Sequence, residues 1–307
     1  MAFVSTLLLG ACHIWDQGFQ RNPNLELLLK NDWDSFFNPV WSPDGRYIYY
    51  LRAHRDRIPT PATALGIGGD LWRINLETRE AELLLSGSFC SLAISHDGSL
   101  LALSYETGDT FPCEMEWEGG PLILADTSGN ILDTLPTSLP FILDVEFSSN
   151  DAKLYYYAYD TVYTGIPFGF YRINLDGSGE ELVREEMNRN LAFFGLIQDT
   201  VVWTYKKCRL NPKKENTILF VEGNVILCCS ELKIKDLETQ RVWVPDADPY
   251  GPPEAWSVPS GFESAYWSPD GEDLVISVGE IRGGDVIHAS TLELWVLHNV
   301  WEEGDKE

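Results

Sequence analysis

A short motif recurs along the chain and constrains the fold more than any other feature. Residues 39–53 read PVWSPDGRYIYYLRA, 92–105 LAISHDGSLLALSY, 145–159 VEFSSNDAKLYYYAY and 265–278 AYWSPDGEDLVISV. Aligned on the residue before the first Ser, the anchors are Trp41, Ile94, Phe147 and Trp267. The first two spacings are both 53 residues and the third is 120, which leaves room for one more unit. That unit is expected in eroded form at 191–205, LAFFGLIQDTVVWTY. Self-similarity at a fixed period marks a fold assembled from like units.

Each copy has one physical reading. A short apolar strand enters a tight turn and an alternating strand leaves it. Ser42-Pro43-Asp44-Gly45 suits a type I turn, in which Pro presets φ at the second position and Gly closes the fourth. A second element follows each copy: 70–85, 121–135, 169–183, 231–244 and 292–299, with anchors Asn75, Asp126, Asn174 and Asp236. Each marks strand, polar turn, strand. A unit is therefore four antiparallel strands in about 50 residues, the blade of a β-propeller.

The last copy stops one strand short near Trp301, while the N-terminal stretch Leu25-Glu26-Leu27-Leu28-Leu29 has no partner of its own. Pairing the two removes an exposed edge. The expectation is an all-β chain forming a single propeller of five four-stranded blades, its ring closed by the N-terminal strand. Six blades is the alternative, if 206–230 holds a further unit. Trp41, Trp72, Tyr171, Trp267 and Trp295 are expected in the core between blades.

Length and composition fit this and exclude other classes. The 307 residues exceed one average domain, but a repeat-built sheet protein reaches that length as one. Charge is lopsided, with 22 Lys and Arg against 47 Asp and Glu and a net −25, so no basic stripe for nucleic acid or anionic lipid is expected. A basic or cationic partner suits such a surface better than an anionic one.

The W-S-P-D-G turn, its aromatic strand and the following D-L-W-x-I-N-L resemble the repeats of TolB-like propellers, across residues 25–301. The same repeat type builds the propellers of prolyl-oligopeptidase and dipeptidyl-peptidase relatives and occurs in stand-alone envelope lipoproteins. TolB itself carries an extra N-terminal α/β domain, for which the segment before Leu25 is too short, so the resemblance is to the repeat. In this family Ser42, Pro43, Asp44 and Gly45 carry structure and not chemistry.

The first residues suggest an address. Ala2 to Ala11 is the longest apolar stretch, and Leu9-Gly10-Ala11-Cys12 resembles a bacterial lipobox, in which the peptide is cut before a Cys that becomes lipid-modified. No Lys or Arg precedes Cys12, a departure from the usual positive n-region. The boundaries expected are 1–11 signal peptide, 12–24 tether, 25–301 propeller and 302–307 acidic tail, giving an exported, monomeric envelope lipoprotein that meets the membrane only through Cys12. In that oxidising compartment Cys90 could pair with Cys113, and Cys208 with Cys228 or Cys229; free buried thiols are the other reading.

Catalytic signatures are absent: there is no G-x-S-x-G, no H-E-x-x-H and no Walker A motif. The peptidase relatives keep their catalytic residues on a hydrolase domain after the propeller, whereas this sequence ends at Glu307. No cofactor is expected. Binding residues are sought instead on connections longer than a hairpin needs, at 54–69, 106–119, 160–167, 206–229 and 279–290. The candidates are His54, Arg55, Asp56, Arg57, Glu116, Trp117, Asp160, Tyr163, Glu280, Arg282, Asp285 and His288. Asp246 and Asp248 stand two apart before a Pro/Gly turn and could offer oxygens to calcium, but lack further ligands at regular offsets. The expected role is a non-enzymatic platform binding an envelope protein or extracellular ligand on the long-loop face. The alternatives are a hydrolase or lyase at the channel mouth, or a sensor of carbohydrate or another small ligand.

Overall fold

The computed structural model describes residues 22–54, 68–105, 122–138, 141–159, 169–185, 195–197, 200–202, 206–224, 229–249, 260–282, 288–289 and 292–301. Among them every regular element is a strand. β1 (Leu25–Leu29) opens the described chain. A seven-stranded antiparallel sheet follows in chain order: β2 (Asp34–Trp41), β3 (Tyr47–His54), β4 (Gly69–Asn75), β5 (Ala81–Ile94), β6 (Leu100–Tyr105), β7 (Leu122–Asp126) and β8 (Ile131–Leu135). β5 serves twice: its first half pairs with β4 and its second half with β6. A four-stranded sheet comprises β9 (Phe141–Phe147), β10 (Lys153–Tyr159), β11 (Gly169–Asn174) and β12 (Glu181–Glu185).

A small hairpin, β13 (Gly195–Ile197) and β14 (Thr200–Val202), stands apart as its own sheet. Next come β15 (Lys206–Leu210), β16 (Thr217–Asn224), β17 (Cys229–Asp236) and β18 (Val242–Trp243). The last strands are β19 (Ser260–Trp267), β20 (Leu274–Arg282), β21 (His288–Ala289) and β22 (Glu293–Leu297). β22 pairs with β20 on one side and with β1 on the other, Leu25 facing Leu297 and Leu27 facing Trp295. The N-terminal strand thus completes the last group, as its unpaired hydrophobic pattern implied.

The repeated turns explain themselves atom by atom. In each of four copies the leading Ser takes both ends of the turn. The Ser42 hydroxyl donates to Asp44 Oδ1 at 2.7 Å and accepts the Tyr47 N–H at 2.9 Å, while Gly45 N–H donates to the Ser42 carbonyl. Ser95, Ser148 and Ser268 repeat this with Asp97, Asn150 and Asp270. The fourth turn position needs a left-handed backbone: Gly45, Gly98 and Gly271 supply it at φ near +73°, and Asp151 substitutes at +55°. Successive turns also touch, since a Cβ on Gly98 would lie 3.1 Å from Pro43 Cδ.

The fourth unit is displaced from its expected place. Residues 191–205 hold only the β13–β14 hairpin among the described residues, and the unit's turn lies at 211–216. There Asn211 N–H donates to the Thr217 carbonyl at 2.8 Å, and its side-chain oxygen accepts from Lys213 and Lys214 N–H. A carboxamide stands where the other turns have a Ser hydroxyl, and the turn is one residue longer, so the reversal is kept without the motif's letters or its bonds. Residues 206–229, expected to be a binding loop, are consequently mostly strand. His54, Glu280, Arg282 and His288, expected in loops, sit at strand ends instead.

Burial follows strand alternation on both faces of the sheets. Along β20, Leu274, Ile276 and Val278 enter one core with Leu219, Val221 and Trp267, while Val275 enters another with Phe36, Ile48 and Tyr50. β6 divides likewise, Leu101 and Leu103 joining Tyr49 and Leu51, Ala102 joining Tyr156. Trp41, Tyr171, Trp267 and Trp295 are buried in these cores and Trp72 is partly so. Cys90 is half-buried on β5; Cys113 and Cys228 lie outside the described residues.

Two predictions follow from the turns. Ser42→Ala leaves the Tyr47 N–H without its side-chain acceptor in a half-buried corner and should cost about 1 kcal/mol in urea unfolding. Asp97 is held below the ordinary carboxylate range by hydrogen bonds from Ser99 and Ser95, and Asp270 by the Ser268 hydroxyl first. Stability from these carboxylates is complete above the ordinary aspartate pKa and lost as pH falls through their lowered values. Asp97→Asn should therefore flatten the acid limb of a stability–pH curve.

Candidate functional site

The first strands of the groups, β2, β5, β9, β15 and β19, bring together a polar cluster between apolar cores. Alternation places Asp144 and Glu146 on one face of β9. Arg209 on β15 reaches both: Nη2 lies 3.6 Å from Asp144 Oδ1, and Nε lies 3.2 Å from Glu146 Oε2. All three are largely out of water, their side chains 12%, 4% and 13% exposed for Arg209, Asp144 and Glu146. From β5, the Ser91 hydroxyl donates to Asp144 Oδ1 at 3.4 Å and accepts the Val145 N–H at 3.0 Å.

The cluster continues around the neighbouring strands. Asn38 takes a left-handed φ of +48° at a bulge in β2. Its side chain donates to the Cys90 carbonyl at 2.7 Å, and its N–H donates to Glu263 Oε2 at 3.3 Å. Ser264 donates to the same Glu263 oxygen. The Arg209 guanidinium lies 5.9 Å from the centre of the Tyr266 ring. Trp267 Nε1 donates to the Arg209 carbonyl at 3.3 Å, tying β15 to β19.

The electrostatics are those of a buried counter-ion arrangement. Glu146 is pushed above the usual carboxylate range, first by burial and then by the nearby Asp144 charge, with Arg209 opposing. The Tyr266 hydroxyl is raised by burial. Among the described residues Asp144 Oδ2 and Glu146 Oε2 make no hydrogen bond, so the Glu146 contact with Arg209 is one of charge and distance rather than direction. No group of three metal-ligating side chains converges among the described residues. Chemically, the cluster can hold one guanidinium against several carboxylates and align the strands that carry them.

The residues expected to bind are placed only in part. Arg282 and His288 are directly paired across β20 and β21, and His54 pairs with Asp34 across β3 and β2. Glu280 faces Ser260. Cys12, Arg55, Asp56, Arg57, Glu116, Trp117, Asp160, Tyr163 and Asp285 lie outside the described residues. Asp246 accepts from Asn22 Nδ2 through its carbonyl at 2.8 Å, and its carboxyl is raised by burial and by Asp248. Asp144, Glu146, Arg209 and Glu263 escaped sequence reasoning. The available signal was Asp144-Val145-Glu146-Phe147, two acids alternating with apolar residues where a repeat should be buried on both sides.

No family model and no curated protein matches the chain. Solved structures do resemble it in shape. An oligogalacturonate lyase in complex with manganese covers 89% of this chain and 79% of its own, at 11% identity and a TM-score of 0.50. Oligogalacturonate lyase from Vibrio parahaemolyticus covers 88% and 79%, at 12% identity and a TM-score of 0.49. TolB from Acinetobacter baumannii is similar over 88% of this chain at 14% identity and a TM-score of 0.42, and the chain spans 55% of its length. These are likenesses of fold alone, and the first of them, at a TM-score of 0.50, supports a β-propeller.

The cluster generates a stability prediction. Arg209→Met leaves Asp144 and Glu146 buried without their counter-charge and should cost about 3–5 kcal/mol by denaturant unfolding. Glu146→Gln, which neutralises a group whose charge is already disfavoured, should cost clearly less.

Proposed function

We propose that the protein is a non-enzymatic binding platform of the bacterial cell envelope, built on a closed ring of five four-stranded blades. The blades are β2 to β5, β5 to β8, β9 to β12, β15 to β18, and β19, β20, β22 with β1. Support for closure comes from the β1–β22 pairing and from contacts between the first and last groups. Phe36 N–H donates to the Leu292 carbonyl at 3.0 Å, and the Ser277 hydroxyl to the Phe36 carbonyl at 2.8 Å. Six blades has less support, because β13–β14 stands outside the four-strand runs.

The observation that carries the functional reading is a difference between the two ends of the strand groups. At one end the chain reverses through the tight turns 42–46, 95–99, 148–152, 211–216 and 268–273. At the other, the second strand reaches the third through 55–68, 106–121, 160–168 and 283–292 in four groups, and through only 225–228 in the group of β15 to β18, where the connection is shorter than the turn. The end with fixed turns is a base. The end with the longer connections carries Arg55, Asp56, Arg57, Glu116, Trp117, Asp160, Tyr163 and Asp285, flanked by His54, Glu280, Arg282 and His288. Charge mixed with Trp and Tyr on a rigid frame suits recognition of a protein surface. The net charge of −25 favours a cationic partner. The monomer is exported and held to the membrane through a lipid on Cys12.

An enzymatic reading would rest on Glu146, whose raised pKa beside Asp144 is the kind of pairing acid–base sites use. Its side chain is buried against Arg209, which suits a counter-ion better than a proton donor to substrate.

Three measurements test the proposal. Membrane fractionation should find wild type in the membrane and Cys12→Ser in the soluble fraction; a Cys12→Ser protein that stays with membranes overturns the anchor. Cross-linking in intact cells should capture a basic protein that Trp117→Ala with Tyr163→Ala loses and that high salt releases. Capture indifferent to both overturns the loop-face site. Leu25→Ala, in the strand proposed to close the ring, should lower a single unfolding transition by about 2–5 kcal/mol. An unchanged main transition would mark β1 as an appended arm.

A further inference from the structure

The N-terminal strand has a fastening of its own. β1 pairs with β22 alone, and its other edge carries no strand among the described residues. The pairing is short and irregular, with a register shift between Leu27 and Leu29. Beyond the Leu25–Leu297 pair stands His298, whose N–H donates to the Asn24 carbonyl at 2.9 Å. Its ring lies between two carboxylates: Nδ1 is 2.9 Å from Asp273 Oδ2, and Nε2 is 3.1 Å from Glu26 Oε2.

The three groups come from separate parts of the fold. Glu26 lies on β1, Asp273 precedes β20, and His298 follows β22. Arg79, from the turn between β4 and β5, pairs with the other Glu26 oxygen. The Asp273 Oδ1 atom accepts the Asn299 N–H at 3.0 Å. Glu272 meets this corner through its carbonyl, which accepts the Val300 N–H. No cation other than Arg79 faces the carboxylates in these contacts.

We propose that His298 is a pH-dependent clasp on the N-terminal strand, joining β1 to the last sheet when its ring is charged and loosening β1 when it is neutral. A carboxylate only accepts hydrogen bonds, and a neutral imidazole has one N–H to give. Satisfying Asp273 and Glu26 together requires both ring nitrogens to carry protons. Loss of one proton turns a ring lone pair toward a carboxylate about 3 Å away and converts a bond into repulsion, while Arg79 still engages Glu26. Burial alone would favour the neutral ring, but the two carboxylates outweigh it and raise the His298 pKa. The sign follows: the clasp is complete below the ordinary imidazole value and is lost as pH rises through the raised one. Solvent reaches the ring, which is 39% exposed, so the proton can exchange without unfolding.

Hydrogen exchange of the full chain, corrected for base catalysis and followed from about pH 5.5 to 9, tests this. Protection of Leu25–Leu29 should fall several-fold with rising pH while that of β3 stays level. His298→Gln should show low β1 protection with no pH step. Asp273→Asn, which lets a neutral ring bond an amide, should move the step to lower pH. A β1 signal that parallels β3 at every pH, a step that persists in His298→Gln, or a step unmoved in Asp273→Asn would each overturn the clasp.

Discussion

Burial on both faces of the middle strands is the constraint on which the structure depends. A sheet with one wet face can use polar residues at every second position. Here β20 presents Leu274, Val275, Ile276, Ser277 and Val278 in succession, and all five are buried. Even-numbered members face one neighbouring group and Val275 the other. Such a strand needs apolar packing on both faces, and a side chain buried this way contributes about 1.5–3 kcal/mol. Such a strand cannot stand at the end of a row without exposing apolar surface. The N-terminal strand's place beside β22, with Leu25 in the shared core, answers the same demand at the outer edge.

The polar cluster sits where that logic runs out. First strands of different groups meet here, and polar side chains supply partners to backbone groups at the contact. Asn38 serves this need by bonding the Cys90 carbonyl, and Ser91 by accepting the Val145 N–H. Arg209 holds Asp144 and Glu146 from the far side. Charge thus acts here as alignment between strands distant in sequence, a use in which a buried ion pair is better understood as fixing geometry than as adding stability.

Legibility in the sequence tracked how local each interaction is. The four Ser turns could be read because all their atoms come from within six residues, so spacing and letters persist together. The Asn211 turn could not: Asn-Pro-Lys-Lys performs the same reversal with a different acceptor, and a search for Ser-Asp-Gly passes over it to the apolar stretch upstream. The match of Leu25–Leu29 to the missing last strand was legible because its apolar run has no local partner. Arg209 was not, since its partners lie more than sixty residues away and nothing nearby marks it as buried. The candidate loop residues were chosen by connection length, a property sequence shows well. Their grouping into a site depends on side chains that length does not orient.

The meeting of the chain's two ends has a mechanical side. Leu25, the first residue of β1, lies opposite Leu297, the last of β22. A pull between the N-terminal and C-terminal segments therefore opens the antiparallel ladder from one end, a rung at a time, and never loads all its bonds in shear. The outermost strand peels under modest tension while the seven-stranded and four-stranded sheets keep their pairings. A chain tethered from its leading end would meet force first at this zip, and only afterwards in its hydrophobic interior.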